Sequence, residues 1–390
     1  MLTAPSALNP IIQLENRLGF HAPHLERVSR SFAFGISRLS KPLRASVGLG
    51  YLICRILDTV EDARWISGVD QRRAFSEFEI FILKTGELTL ADRDSIADWV
   101  SRVPLEISDG ERQLITASPT IFAEFALLGA EERSALLAPV LSMSRGMTHF
   151  TNSTRETGSL RLTSLEDVNV YCFFVAGVVG ELLTGLVAND LGPIGLESIW
   201  KPATHFGLFL QKVNVLKDQR SDENEGRFLV PDRESLIESL RANACGAFDY
   251  LCSIPFHRKD YRLFCAWALY LGLATVPYLR KFQTPTAGET SNATTGAGKL
   301  PRVKALALGA EIELSILDDL KLREMFDEAV GTAWPTTRLA TRPTLESETP
   351  SATIRLGERS PSASTLRVLR DCYSGRLQVD ELARLLACNT

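Results

Sequence analysis

From about residue 23 to residue 321, apolar side chains return every three or four positions, the spacing of an α-helix, and little in the chain asks for a strand. Sustained alternation is rare, as are the Asn-Gly and Asp-Gly pairs that mark hairpins. The pattern predicts helices over about 23–37, 42–66, 70–85, 120–129, 131–150, 164–188, 193–220, 233–253, 257–282 and 299–321. Pro42 suits the first turn of one helix, and Ser164 with Asp167 three residues on reads as a capping box. The expectation is an all-α protein. With 390 residues, 45% of them hydrophobic, its core needs no disulfide or metal staple.

Two segments break the pattern. Residues 284–298 (TPTAGETSNATTGAG) read as a polar connection between helices. Residues 335–365 are rich in Pro, Ser, Thr and Arg and poor in aliphatics, which predicts disorder. The expected organisation is one helical domain over 1–330 and a largely disordered tail over 331–390, with room for short helices near its end.

Composition removes several functions. A net charge of −4 with no basic stripe gives no electrostatic footprint for nucleic acid. Seven scattered cysteines without a CxxC pair read as reduced thiols, and no HExxH or HxxxH pair offers a histidine zinc site. No basic start followed by an apolar run marks a signal peptide, so the expected location is cytoplasmic, soluble or peripheral to a membrane. The longest uncharged run, Leu263 to Leu279, is at the lower limit for a membrane span and reads as a buried core helix.

Chemistry enters at YLICRILDTVEDARW, residues 51–65, where an apolar helix ends in three carboxylates. At 100° per residue, Asp58 and Asp62 share a face, Glu61 lies at its margin, and Arg55 and Tyr51 precede them on it. Like charges at this spacing repel, by about 0.2–0.5 kcal/mol per pair on an exposed helix, so a cation is expected among them. A solvated helix end with stray acids would look similar. A second cluster weakens that reading: in LFLQKVNVLKDQRSDENEGRFLVP, Gln211, Asn214, Asp218 and Asp222 fall within an arc of roughly 80°. Hard oxygen donors without histidine or thiolate suit Mg²⁺, which takes one or two carboxylates and completes its shell with water and substrate phosphates. Two such helices facing each other would hold Mg²⁺ and a diphosphate, with Arg30, Arg55, Lys217 and Arg227 close in sequence to supply positive charge.

Three separated blocks, residues 29–63, 171–186 (YCFFVAGVVGELLTGL) and 209–231, resemble the squalene/phytoene synthase family in the family's own order. The resemblance implies a single-domain isoprenoid synthase helical bundle with a central cavity. It implies that Asp58, Glu61 and Asp62 form a first metal motif and that Asp218 and Asp222 form the second, with Gln211 and Asn214 lining the same face. Ser29, Arg30, Ser31 and Phe32 match a substrate-binding stretch, and Lys217 and Arg227 match cationic diphosphate contacts. Tyr51 and Arg55 match the tyrosine and arginine before the first motif, and Tyr171 matches a tyrosine near the reacting carbons. Two departures stand out: Ser221 occupies a position usually acidic in the second motif, and Arg64 follows the first motif where an acid is common. Taken singly, Tyr51 and Tyr171 read equally as core tyrosines, Arg55 as a local ion-pair partner, and GVVGE (177–181) as a close helix contact.

Within the family, residues 261–275 and 299–308 resemble the squalene branch, in which a Lys/Arg-bearing region helps to place NADPH; Lys299, Arg302 and Lys304 are the candidates, or a solvated basic helix start. The reaction implied joins two farnesyl diphosphates through presqualene diphosphate to squalene, with Mg²⁺ and NADPH, and transient membrane contact follows from the lipophilic product. The alternatives are a synthase that stops at presqualene diphosphate, dehydrosqualene or phytoene, and a non-catalytic scaffold of the same family.

Overall fold

A computed structural model describes residues 10–104, 106–157, 159–188, 196–280 and 300–335. The expectations for Lys299, for the 284–298 connection and for the tail from 336 onward lie outside the described residues. The all-α expectation holds: among the described residues the regular elements are helices apart from one pair of two-residue strands.

The chain divides into two compact units, Met1–Val140 with Gly185–Val187, and Leu141–Thr184 with Ala188–Thr390. In the first unit, α1 (Pro10–Val28), α2 (Arg30–Ser37) and α3 (Lys41–Asp62) are followed by α4 (Gly68–Leu83), α5 (Leu90–Arg102) and α6 (Asp109–Ala126). Helix α3 carries the apolar stripe that anchors this unit, with thirteen buried residues from Leu43 to Val60. Trp99, Phe81 and Phe122 meet at 5.5–6.2 Å between ring centroids, and Trp99 donates to the Ala74 carbonyl at 2.9 Å.

Sequence periodicity merges the end of α1 with α2, and misses all of α5 and most of α6. The break at residue 29 is a cap: Ser29 is extended and its hydroxyl accepts from the Phe32 amide. Helix α5 is polar on most faces, so periodicity alone is faint there; its start is a Thr89/Asp92 capping box. Helix α6 continues straight through Pro119, a residue that reads as a helix start when the preceding turns are polar.

The long helix α7 (Ala130–Thr157) leads to β1 (Leu160–Arg161), α8 (Leu165–Cys172), a π-helical turn (Phe173–Gly177) and α9 (Val178–Val187). In the second unit α10 (Leu196–Asn224), β2 (Arg227–Phe228), α11 (Arg233–Ser253) and α12 (Lys259–Arg280) form the core, with α13 (Arg302–Ser315) and α14 (Asp319–Ala333) against it. Helix α14 begins at an Asp318 cap. The GVVGE segment is a close helix contact, as one reading of it expected: a Cβ on Gly180 would sit 2.1 Å from the Ala203 carbonyl oxygen, and one on Gly207 equally close to that of Ala176. Only glycine lets these backbones meet.

The apolar run Leu263–Leu279 belongs to α12, and most of the span Phe256–Leu279 is buried in the protein. Arg262 is buried at its start, donating to the carbonyls of Leu251, Ile254 and Ile316 and to Asp319. Every described cysteine is a free thiol, and Cys54, Cys172, Cys245 and Cys265 are buried.

Candidate active site

Helix α3 ends where its acids begin. The C-terminus of a helix carries partial negative charge, so Asp58, Glu61 and Asp62 are placed where carboxylates are disfavoured unless a cation joins them. The end is held by neighbours: Gln71 donates to the carbonyls of Val60 and Glu61 at 2.9 Å each, and Trp65 donates to Val60 at 2.8 Å. Arg55 supplies one cation, 3.5 Å from Asp58, and its other nitrogen donates to Glu111 on α6. Burial works against the charge on Arg55, but Asp58 and Glu111 outweigh it and hold the guanidinium pKa above its ordinary value. Its Nε is buried without a hydrogen-bond partner.

Glu111 was absent from the sequence expectations because α6 was expected to start later. Its signal was legible: Ser108 and Glu111 form a capping box, and the same carboxylate that accepts from the Ser108 amide at 3.0 Å also takes Arg55.

The structure gathers Ser29, Phe32 and Tyr51. The Phe32 and Tyr51 rings lie 5.2 Å apart, with Ser29 close to the phenol. Burial raises the Tyr51 pKa, against the opposing pull of Ser29 and Arg55. Arg30 and Ser31 are both exposed, and Arg30 with Arg27, Phe34 and Gln113 lines a recess of about 770 Å³.

In the second unit the oxygen stripe runs along the second half of α10, with Asp222 in its last turn. Asn214 and Asp218 are exposed, while Gln211 and Asp222 are half-buried. Lys217 lies back along its own helix, 3.1 Å from Asn214 Oδ1 and 3.2 Å from Asp218 Oδ2. Ser221 is exposed on the same helix. After α10 the chain turns at Gly226, whose φ of +80° is the left-handed region that favours glycine, and enters β2. Parallel pairing of Leu160 with Arg227 and Arg161 with Phe228 fixes Arg227, whose Nη2 donates to the Tyr171 hydroxyl at 2.6 Å. Tyr171 itself is 1% exposed and meets the Phe150 ring edge-on at 5.2 Å.

Within either unit, no three described His, Cys, Asp or Glu side chains converge as a metal cage. The donors fit Mg²⁺ on other grounds: paired carboxylate oxygens at i,i+4 on each helix match an ion that uses one or two carboxylates and leaves its other positions to water and phosphate. The expected cofactor residues fit less well. Lys304 donates to the Tyr278 hydroxyl at 3.3 Å on a recess of about 410 Å³ that Glu311 and Glu328 also line, and these acids oppose an anionic dinucleotide. Arg302 is exposed at the first turn of α13.

The helical architecture is that of the isoprenoid synthase class. A ligand complex of TcSQS superposes with a TM-score of 0.61 at 22% identity, covering 81% of this chain and 97% of that one. A dehydrosqualene synthase superposes at 0.51 with 19% identity, covering 79% and 99%. These likenesses show the fold. The squalene/phytoene synthase family model matches residues 25–242, more than half of the sequence, and the chain belongs to that family. Its relatives include the squalene synthases of Rattus norvegicus, 32% identical over 220 residues (56% of this chain, 47% of that protein), and of Bos taurus, 31% over 209 residues (53% and 45%). The squalene synthase of Mycosarcoma maydis is 29% identical over 214 residues (54% and 34%). The matched region thus spans between about a third and about half of these relatives' length.

Proposed function

We propose that this chain is a prenyltransferase that condenses two farnesyl diphosphates head to head through presqualene diphosphate to squalene. The observation that carries the reading is the Arg227–Tyr171 hydrogen bond, set immediately beyond the helix that bears Gln211, Asn214, Asp218 and Asp222. Tyr171 is buried against Phe150, so its oxygen is screened from water on the apolar side and faces a guanidinium on the other. In this reading Arg227 and Lys217 bind the diphosphate, and the aromatic rings of Tyr171 and Phe150 stabilise an allylic cation by their faces. The Tyr171 hydroxyl relays the proton lost as the cyclopropane closes, accepting it while its own proton passes to an oxygen of the released diphosphate. Arg55, Tyr51, Ser29 and Phe32 orient substrate beside the first motif, with Arg30 and Ser31 at its exposed margin. Asp58, Glu61, Asp62, Asp218 and Asp222 would hold Mg²⁺, which supplies charge stabilisation to the departing diphosphate.

Reduction of the intermediate by NADPH is supported by the family resemblance alone; the acids beside Lys304 do not favour the assignment of Lys299, Arg302 and Lys304 to the dinucleotide. Transient contact with a cytoplasmic membrane surface is supported by exposed Val303, Leu306 and Leu314, which fall on one side of α13, and by exposed Leu317 just beyond its end.

Incubation of the purified protein with farnesyl diphosphate and Mg²⁺, with and without NADPH, tests the reading. Squalene formed only with NADPH is expected. Product unchanged by NADPH would remove the reductive step, and preference for geranylgeranyl diphosphate would move the protein to the phytoene branch. No turnover of either substrate would leave a scaffold.

A further inference from the structure

Lys212 sits in the middle of the second acidic block yet has no part in the chemistry above. Its side chain is 0% exposed, and its ammonium donates to Ser239 Oγ at 2.6 Å and to Asn243 Oδ1, both on α11. Asn243 in turn meets Nδ1 of His205 at 2.8 Å. His205 and Lys212 are seven residues apart on α10, hence on the same side of it, so α10 is clasped to α11 at two successive levels through one asparagine. From α8, Glu166 is 4% exposed and close enough to feel the Lys212 charge.

Burying an ammonium costs several kcal/mol, and a well-packed apolar residue of similar size would stabilise a helix contact as well or better. What the ammonium adds is direction, since its hydrogen bonds hold only when the two helices meet at one rotation. On the helical wheel Lys212 lies about 100° from Gln211 and about 120° from Asp218. If α10 rolled by about 20°, a carboxylate about 6 Å from its axis would move by roughly 2 Å, as much as a whole Mg²⁺–oxygen bond.

We propose that Lys212 is a positioning residue: its clasp on Ser239 and Asn243 fixes the roll of α10 and so the bearing of the Gln211, Asn214, Asp218 and Asp222 stripe. The metal-directed half of this proposal rests on the function proposed above; the helix-fixing half does not.

Two measurements on the full chain test it: hydrogen exchange along α10, and Mn²⁺ binding in the presence of inorganic diphosphate followed by electron paramagnetic resonance. Lys212→Met should speed exchange over residues 211–222 and weaken Mn²⁺ binding about tenfold or more, equivalent to about 1.4 kcal/mol. Lys212→Met combined with Asn243→Leu should regain the wild-type unfolding midpoint through apolar packing without regaining Mn²⁺ affinity. Wild-type exchange or wild-type affinity in Lys212→Met overturns the proposal, as does affinity that returns in step with stability in the double variant. Should Lys212→Met not fold, Asn243→Ala, which keeps the charge and removes an acceptor, is read by the same criteria. If the wild-type protein itself binds no Mn²⁺ with diphosphate, the proposed function fails, and exchange alone decides whether Lys212 fixes the helix.

Discussion

Arg227 donates a 2.6 Å hydrogen bond to the hydroxyl of Tyr171, joining residues 56 positions apart in the chain. A two-residue parallel ladder makes the join: Leu160 accepts its place beside Arg227, and the amides of Leu160 and Leu162 donate to the carbonyls of Gly226 and Phe228. Tyr171→Phe keeps the ring and removes the oxygen, so kcat for farnesyl diphosphate should fall by about 10²–10⁴ if the hydroxyl moves a proton. Circular dichroism should be unchanged. An undiminished kcat would leave the ring alone as the contribution of this residue.

Asp58 and Asp218 each have a second carboxylate four residues on, Asp62 and Asp222, a like-charge spacing that favours a bound cation. Asp58→Asn and Asp218→Asn should each raise the Mg²⁺ concentration for half-maximal turnover by about tenfold or more, a loss of about 1.4 kcal/mol or more in binding. Stability without Mg²⁺ should change little, because relief of carboxylate repulsion is offset by loss of the pairs with Arg55 and Lys217. Turnover with unchanged Mg²⁺ dependence in both variants would remove these residues from the metal site.

Glu166 is buried, and desolvation, with Asp167 adding to it, pushes its pKa up to about 8 against the pull of Lys212. Its ordinary value is 4.5, so between pH 4.5 and 8 the folded protein holds a proton that the unfolded chain has lost. This contribution is therefore fully present below pH 4.5 and is lost as pH rises towards 8. The slope approaches about 1.4 kcal/mol per pH unit at most. Glu166→Gln should flatten the dependence and stabilise the protein at pH 8, read from urea midpoints between pH 5 and 9. A wild-type slope in the variant would place the titration elsewhere.

Arg262 is 1% exposed and satisfies three backbone carbonyls besides Asp319. Arg262→Met leaves those carbonyls without their donor and should cost about 3–5 kcal/mol. Equilibrium unfolding in guanidinium chloride measures it. A loss below about 1 kcal/mol would show that water or a rearranged chain replaces the guanidinium.

Spacing alone was enough for the helical class, for α3, α4 and α7 to α12, and for the polar stripes of α3 and α10, because a fixed 100° step converts spacing into faces without any tertiary knowledge. The sequence also carried the family, through three blocks in order. Boundaries that depend on single caps, such as Ser29 between α1 and α2, were missed, as was α6 running through Pro119. Only tertiary structure decided that Glu111 reaches Arg55, that Arg227 reaches Tyr171, and that Lys212 is a buried clasp instead of one more surface lysine. Those pairings are separated by 56, 56 and 27 residues. Periodicity says which side of a helix is buried; which partner meets it there depends on how whole helices pack, and that information resides in many side chains at once.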